Sequence, residues 1–213
     1  TAYHMLFNVF RVRPGDHVLI HQAAGGVGTA AAQLCRSVGG VTTYGTASKP
    51  KHDYVRANGC DHPIDYHGVD YAEVVDALTE GRGVHVVLDA LGGGDWKKGY
   101  SLLRPGGMLI AFGWANMAKF GKRRMTHVLG EFTHMPWWTP VKLMQENKGV
   151  CGVNMGHLWE EREMMHEAFT ALLTLYGEGA IRPQVDRSFP FAQASEAHAY
   201  IEAGQNVGKV LLT

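Results

Sequence analysis

Short apolar runs alternate with longer amphipathic stretches along the first half of the chain. The apolar runs predict strands at residues 17–21, 41–45, 60–64, 84–89 and 108–112. The stretches between them predict helices at residues 27–38, 49–58, 71–79 and 95–103. The run at 84–89 is of the continuous apolar kind that parallel sheets bury on both faces. This alternation is typical of βαβ units and a parallel sheet.

The second half continues this rhythm and then changes it. Residues 149–155 predict a sixth strand, and residues 160–176 predict the helix after it. The tail predicts a strand, a helix and a strand, at 184–189, 192–203 and 209–212. The pattern leaves open whether this tail extends the sheet or belongs to a second domain. The expected fold class is therefore α/β, a doubly wound parallel sheet of about six strands within residues 1–183, and the pattern alone does not assign the tail at 184–213.

Composition narrows the classes of protein. The 213 residues carry 20 Lys and Arg against 20 Asp and Glu, so the formal net charge is zero. This balance argues against a nucleic-acid-binding protein, whose surface is basic. Three cysteines, at 35, 60 and 151, have neither metal-site nor disulfide spacing, which favours a reducing, cytoplasmic location. The sequence has no run of 18 apolar residues, so no membrane-spanning helix is predicted.

A glycine motif lies between the first predicted strand and helix. Residues 22–28 read Gln-Ala-Ala-Gly-Gly-Val-Gly, and Gly26, Gly28 and Ala31 match the dinucleotide pattern that accepts alanine in third place. Without side chains, Gly26 and Gly28 let the backbone approach a pyrophosphate, and the helix N-terminus adds free N–H groups. The motif indicates a Rossmann nucleotide site. A purely structural glycine turn and the S-adenosylmethionine site of a methyltransferase stay open as alternatives.

The end of the second predicted strand bears on which nucleotide binds. NAD sites usually place an Asp or Glu about 20 residues after the glycines. No Asp or Glu occurs between Thr29 and His52, and the strand end carries Ser48 followed by Lys49 and Lys51. Hydroxyl and ammonium groups suit a 2′-phosphate, so the sequence favours NADP(H). The alternative is that the two lysines are an ordinary solvated helix start.

Four segments carry a family resemblance: Ala23-Ala-Gly-Gly-Val-Gly28, Gly45-Thr-Ala-Ser48, Ile64-Asp-Tyr66 and Asp89-x-Leu-Gly-Gly93. They resemble the zinc-free quinone oxidoreductases of the medium-chain dehydrogenase/reductase superfamily, which are similar to zeta-crystallin. The stretch Asn206-Val-Gly-Lys-Val-Leu-Leu212 is similar to the synaptic-vesicle membrane protein branch of that family.

The resemblance implies a set of cofactor-binding residues. These residues are Gly26, Val27, Gly28, Ser48, Lys51, Tyr66, Leu91, Gly92, Phe112, Val153, Met155, Asn206 and Thr1. Within the set, Ser48, Lys51 and Tyr66 match the family's 2′-phosphate contacts, and the sixth strand, carrying Val153 and Met155, would flank the nicotinamide. No catalytic residue is assigned. The family's GroES-like substrate domain does not match any part of this chain, and residues 184–213 resemble the segment that returns to it. The chain therefore resembles a fragment.

The implied function is NADPH-dependent transfer of hydride to a quinone or an α,β-unsaturated carbonyl compound. A non-catalytic nucleotide-binding scaffold or membrane-trafficking partner is the alternative. The family also implies a homodimer through residues 149–155. Metal binding is not expected, and the histidine pair at 127 and 134 is expected to be core or surface. The basic cluster at 119–124 with Trp137 and Trp138 is either a solvated helix face followed by buried aromatics, or a lid or membrane-surface patch.

Overall fold

A computed structural model of the chain describes residues 1–118 and 136–213, apart from the side chains of residues 117 and 118. Within these residues, the central sheet has six parallel strands: β1 (His17–Ile20), β2 (Thr42–Thr46), β3 (His62–Ile64), β4 (Val84–Asp89), β5 (Leu103–Ala111) and β6 (Gly149–Gly152). Their spatial order is β3–β2–β1–β4–β5–β6. This is the order of a Rossmann sheet, so the predicted fold class is confirmed.

The helices follow the predicted rhythm. They are α1 (Gly26–Val38), α2 (His52–Ala57), α3 (Tyr71–Leu78), α4 (Gly94–Ser101), α5 (Ala115–Ala118), α6 (Pro140–Glu146), α7 (Arg162–Gly177) and α8 (Ala194–Glu202). Short 3₁₀ turns occupy Lys49–Lys51, Met155–His157 and Phe191–Gln193. A π-helical segment, His4–Phe10, was not predicted, although it buries Met5 and Leu6.

Alternate strand residues build two cores, one on each face of the sheet. Along β1, Val18 and Ile20 pack into the core that also contains Leu34 of α1, whereas Leu19 packs with Val75 of α3 on the other face. Side chains of a strand point alternately to opposite faces, so a sheet covered by helices on both sides needs apolar residues at successive positions. This requirement explains why the predicted buried strands read as continuous apolar runs.

The tail forms a small sheet of its own. Strands β7 (Val185–Phe189) and β8 (Lys209–Leu212) pair in parallel, and α8 connects them. The Gln33 side chain of α1 reaches this region: its amide oxygen accepts the N–H of Arg182 at 2.8 Å, and its amide nitrogen donates to the Arg182 carbonyl at 2.9 Å. The tail is thus a second sheet rather than an extension of the first. The division at residue 183 stays a prediction.

Two predicted strand limits are wrong. Strand β5 begins at Leu103 rather than at residue 108, because Leu103 already pairs with Val84 of β4. The next pair is Val86 with Met108, so the predicted turn at 105–107 is an irregularity within the strand. Strand β6 ends at Gly152, so Val153 and Met155 are not strand residues. The Asn154 side chain accepts the N–H of Gly156 at 3.0 Å and opens a 3₁₀ turn there, which ends the strand early.

The segment after β5 is described only in part. The basic cluster at 119–124 and the histidines at 127 and 134 lie outside the described residues. Trp138 is half-buried, with its ring 5.3 Å from that of Tyr100, but Trp137 is 92% exposed. The expectation of buried aromatics is therefore wrong for Trp137, because Trp138 takes the packing position. Among the described helices, none combines the length and apolarity needed to cross a bilayer.

Candidate functional site

The glycine loop joins β1 to α1 at the carboxyl edge of the sheet. Gly25 donates its N–H to the Gln22 carbonyl at 2.9 Å, and no side chain caps the start of α1. A Cβ on Gly28 would overlap the Gln22 oxygen and lie 2.6 Å from the Ala23 Cα. Glycine is therefore required for α1 to begin this close to the strand. The first N–H groups of α1, at Gly26, Val27 and Gly28, are left to face an anion at this edge.

The ends of β2 and β3 carry two of the predicted phosphate contacts. Thr46 pairs with Ile64, so Ser48 and Tyr66 each lie two residues beyond this pair at the same sheet edge. Ser48 is half-buried, its hydroxyl caps no N–H of the following turn, and Tyr66 is 47% exposed. The first acid after β2, Asp53, is exposed and pairs with Arg56 at 3.4 Å. The strand end therefore presents a hydroxyl and no carboxylate.

Lys51 brings the start of α2 to the C-terminal tail. Its ammonium donates to the carbonyls of Gly204 at 2.6 Å and of Asn206 at 2.7 Å. Burial lowers the pKa of Lys51, and the charge of Asp186 partly opposes this shift. An ammonium has three N–H donors, so one remains for a phosphate oxygen. Two residues predicted from the family resemblance, Lys51 and Asn206, are thus in direct contact.

The tail also covers the glycine loop. Gly208 donates its N–H to the Ala24 carbonyl at 2.7 Å, and the stem of the Lys209 side chain lies over Gly26, where a Cβ would overlap it. Lys209 was not among the predicted contacts, although it directly follows the predicted Asn-x-Gly stretch. Its position adds positive charge beside the helix N-terminus.

The loop between β4 and α4 closes the other half of the site. One carboxylate oxygen of Asp89 accepts the N–H groups of Leu91 at 2.7 Å and Gly92 at 2.9 Å. Gly92 has φ +81°, and a Cβ there would overlap the ring of Trp114. Phe112, just after β5, donates its N–H to the Asp89 carbonyl at 2.9 Å. Leu91, Gly92 and Phe112 are therefore all fixed around the end of β4.

The residues after β6 lie beside this loop. The N–H of Val153 donates to the Ala111 carbonyl at 2.8 Å, which places Val153 next to the end of β5. Val153 is buried, and Met155 packs against the same core. Although these two residues are outside the strand, both follow it at the carboxyl edge of the sheet, and their contact with the nicotinamide stays a prediction.

Two buried polar side chains beneath the loops were missed by the sequence analysis. His21 and Asp89 are fully buried, and His21 Nε2 lies 3.8 Å from Asp89 Oδ2. Burial lowers the pKa of His21 and raises that of Asp89, and the pairing of the two groups opposes both shifts. The sequence signal that could have identified them is a polar residue at the end of an apolar strand, His21 after β1 and Asp89 at the end of β4.

The described part of the chain offers no cluster of metal ligands. Across residues 1–118 and 136–213, no three His, Cys, Asp or Glu side chains come together as a metal site would require. Burial raises the pKa of Cys35 to about 12 and that of Cys60 to about 11, so neither is a thiolate near neutral pH. The absence of a metal from the whole protein stays a prediction.

A Rossmann sheet with a glycine loop at its carboxyl edge defines a dinucleotide-binding fold. Sequence comparison identifies the family. The chain belongs to the zinc-binding dehydrogenase family, whose model matches residues 58–212. The resemblance to the quinone oxidoreductases of the medium-chain dehydrogenase/reductase superfamily is thereby confirmed.

Individual relatives sharpen this placement. The chain is 43% identical to the synaptic vesicle membrane protein VAT-1 homolog of Rattus norvegicus, over all of this chain and 52% of that protein. It is 33% identical to a 2-haloacrylate reductase of Burkholderia sp, over all of this chain and 60% of that protein. The structure of Escherichia coli quinone oxidoreductase complexed with NADPH superposes with a TM-score of 0.82 at 25% identity, covering 99% of this chain and 61% of that one. The chain spans about half the length of the vesicle-protein relatives.

Proposed function

We propose that the chain is the NADP(H)-binding part of an oxidoreductase that reduces a quinone or an α,β-unsaturated carbonyl compound. One observation carries the proposal: the uncapped N-terminus of α1 and the carboxylate-free end of β2 lie at the same sheet edge. An open helix N-terminus attracts the pyrophosphate. A hydroxyl and an ammonium beside it, from Ser48 and Lys51, suit a 2′-phosphate better than a 2′-hydroxyl.

The chain's residues divide between the two ends of such a cofactor. In this proposal Gly26, Val27 and Gly28 receive the pyrophosphate, and Ser48, Lys51 and Tyr66 hold the 2′-phosphate. The nicotinamide half borders Leu91, Gly92, Phe112, Val153, Met155 and Thr1, and Asn206, which contacts Lys51, is a further cofactor contact. When bound, NADPH supplies the hydride, and a proton from another donor completes the reduction. Two bacterial relatives, which are named as a quinone oxidoreductase and a 2-haloacrylate reductase, support this reaction class.

Calorimetric titration of the chain with NADPH and with NADH tests the cofactor assignment. We expect NADPH to bind at least tenfold more tightly, a difference of about 1.4 kcal/mol. Lys51→Ala should remove most of this preference by weakening NADPH alone. Lys49→Ala is the matched control, because Lys49 is exposed two residues away. Equal affinities for the two nucleotides in the parent chain would contradict the 2′-phosphate site.

A second candidate is a non-catalytic nucleotide-binding scaffold or membrane-trafficking partner. It is favoured by the 43% identity to a protein named for synaptic vesicle membranes. Turnover of a quinone with NADPH by a longer form that includes any preceding domain separates the two candidates. Flotation of this chain with anionic vesicles would support the scaffold. For this chain we also propose a cytoplasmic location and a homodimer through residues 149–155. A monomer mass that does not change with concentration in light scattering would exclude the dimer.

A further inference from the structure

Three polar side chains form a buried row beneath the cofactor loops. They are Thr46, His21 and Asp89, at or directly after the carboxyl ends of the neighbouring strands β2, β1 and β4. Thr46 is 3% exposed, and the other two residues are fully buried. Within the described residues, His21 Nε2 and Asp89 Oδ2 have no hydrogen-bond partner. Buried polar atoms without a bond are costly, so their retention here calls for a reason.

The groups on the two sides of His21 bear on where its ring proton lies. The Thr46 hydroxyl accepts the N–H of Gln22 at 3.2 Å and lies 3.1 Å from His21 Nδ1. The hydroxyl has one proton and two acceptor lone pairs, so its contact with Nδ1 alone fits either tautomer. The Asp89 carboxylate can only accept, so the tautomer that suits this arrangement carries its proton on Nε2, which faces the carboxylate, and accepts the hydroxyl proton at Nδ1.

The other end of the row holds the β4–α4 loop. Asp89 Oδ1 accepts both loop N–H groups, from Leu91 and Gly92, so its orientation sets the path of that loop. The opposite oxygen, Oδ2, is the one that His21 faces at 3.8 Å. Gln22 is the first residue of the glycine motif, and its N–H donates to Thr46, so the same row is also bonded to the glycine loop.

We propose that Thr46, His21 and Asp89 are positioning residues that hold the glycine loop and the β4–α4 loop in one arrangement for the dinucleotide. Asp89 holds the Leu91 and Gly92 amides, Thr46 orients His21, and His21 attracts the second Asp89 oxygen electrostatically across 3.8 Å. This inference rests on the proposed function. It assigns to three buried side chains a role in affinity, although none of them faces the cofactor.

Substitution of Asp89 tests the central link. In Asp89→Ala both loop amides lose their acceptor, and we expect NADPH affinity to fall at least about tenfold. Asp89→Asn keeps the accepting oxygen, so we expect its affinity to return to within about threefold of the parent. Rescue of this kind separates positioning from general destabilisation. Parent-like affinity in Asp89→Ala, or an Asp89→Asn variant as weak as Asp89→Ala, would overturn the proposal.

A matched control lies at the opposite end of the sheet. The Asp61 carboxylate also accepts a backbone N–H, from Thr43 at 2.8 Å. Asp61→Ala should lower the melting temperature while leaving the NADPH affinity unchanged. If it weakens NADPH binding as much as Asp89→Ala does, the effect is global and the inference fails.

Nitrogen NMR of the imidazole tests the His21 link without any cofactor. The parent should show the Nε2–H tautomer, and Asp89→Asn should invert it, because the asparagine amide would donate to Nε2. An Nδ1–H tautomer in the parent would overturn the proton assignment. Should Asp89→Ala fail to fold, Thr46→Val replaces it: we expect a mixture of tautomers and about threefold weaker NADPH binding. No change in either measurement counts against the proposal.

Amide hydrogen exchange separates this inference from the proposed function. A folded parent that binds no NADPH would contradict the cofactor site itself. The positioning role is then judged by the amides of Leu91 and Gly92. Faster exchange of both in Asp89→Ala than in Asp89→Asn supports it, and equal rates overturn it.

Discussion

The two ends of the central sheet use polar side chains in opposite ways. At the amino end, four rings stack across four neighbouring strands, with centroid distances of 5.7, 5.9 and 5.1 Å in the order His85, His17, Tyr44 and His62. His17 Nδ1 lies 2.8 Å from the Tyr44 hydroxyl, and the His17 N–H donates to His85 Nδ1 at 2.8 Å. These polar groups bond to one another.

The carboxyl end leaves bonding capacity open. Helix α1 begins there without a side-chain cap, and the buried atoms Nε2 of His21 and Oδ2 of Asp89 form no hydrogen bond in the described structure. In open α/β sheets, ligands bind beyond the carboxyl ends of the strands. The difference is that the carboxyl end holds unbonded buried atoms beneath the proposed nucleotide site, whereas the side chains of the ring stack at the amino end bond to one another.

The largest expected effect comes from Gly28→Ala. The new Cβ would overlap the Gln22 carbonyl oxygen, and backbone atoms at this turn have little room to move. We expect the free energy of unfolding to fall by about 2–3 kcal/mol, measured by denaturant titration. NADPH binding should be lost as well.

Gly94→Ala is the control for that experiment, because a Cβ there meets no atom within 4 Å. Alanine is the better helix former, so we expect stability to change by no more than about 1 kcal/mol, upwards. A Gly28→Ala protein as stable as the parent, with intact binding, would break the contrast between the two sheet ends.

We expect acid to have an intermediate effect on stability, through the histidines at the amino end of the sheet. Burial lowers the pKa of both His17 and His85, and the charge of Arg104 lowers each further, whereas Asp16 opposes the shift. The unfolded chain therefore takes up protons below about pH 6.5 that the folded chain resists. We expect the free energy of unfolding to be flat above about pH 7 and to fall progressively towards pH 5.

The His85→Gln variant isolates this contribution. It removes one of the resisting imidazoles, so the loss of stability between pH 7 and pH 5 should become shallower. The exposed His166 of α7 provides the comparison, and His166→Gln should leave the slope as it is. Identical slopes for the two variants would refute the assignment of acid sensitivity to the ring stack.

The smallest effect is expected from Asp53→Ala. Asp53 is the first carboxylate after β2, but it is exposed and its pairing with Arg56 at 3.4 Å is solvated. Surface ion pairs of this kind contribute about 0–1 kcal/mol, so stability should hardly change. The preference for NADPH over NADH, measured by calorimetry, should also persist. A reversed preference would show that Asp53 reaches the cofactor.

The local pattern of apolar and polar residues was sufficient to predict much of the fold. Strand β4 and helix α1 lie where predicted because each combines a clear apolar pattern with a glycine signal at one end. The segment His4–Phe10 was missed because π-helical geometry does not follow the 3.6-residue period on which helix prediction relies. The end of β6 was misplaced because a single side-chain cap, from Asn154, competes with strand pairing.

The residues of the candidate site also divide into those that the sequence could predict and those that it could not. Gly26, Gly28 and Ser48 could be selected from the sequence because a motif at a strand end has a fixed spatial meaning. The contact between Lys51 and the Asn206 carbonyl joins residues 155 positions apart, and no local pattern encodes it. His21 and Asp89 were missed because their importance lies in their mutual distance, which depends on the pairing of β1 with β4.

The contact of the C-terminal tail with the glycine loop has a consequence for the order of events during synthesis. Gly25 is bridged to Gly208, and Lys51 is bonded to the carbonyls of residues 204 and 206. A ribosome releases the chain from its amino end at about 5–20 residues per second. The six sheet strands are therefore translated before the tail that finishes the nucleotide site. A chain that stalls near residue 200 would therefore form the sheet without the contacts that the tail makes to the glycine loop and to Lys51.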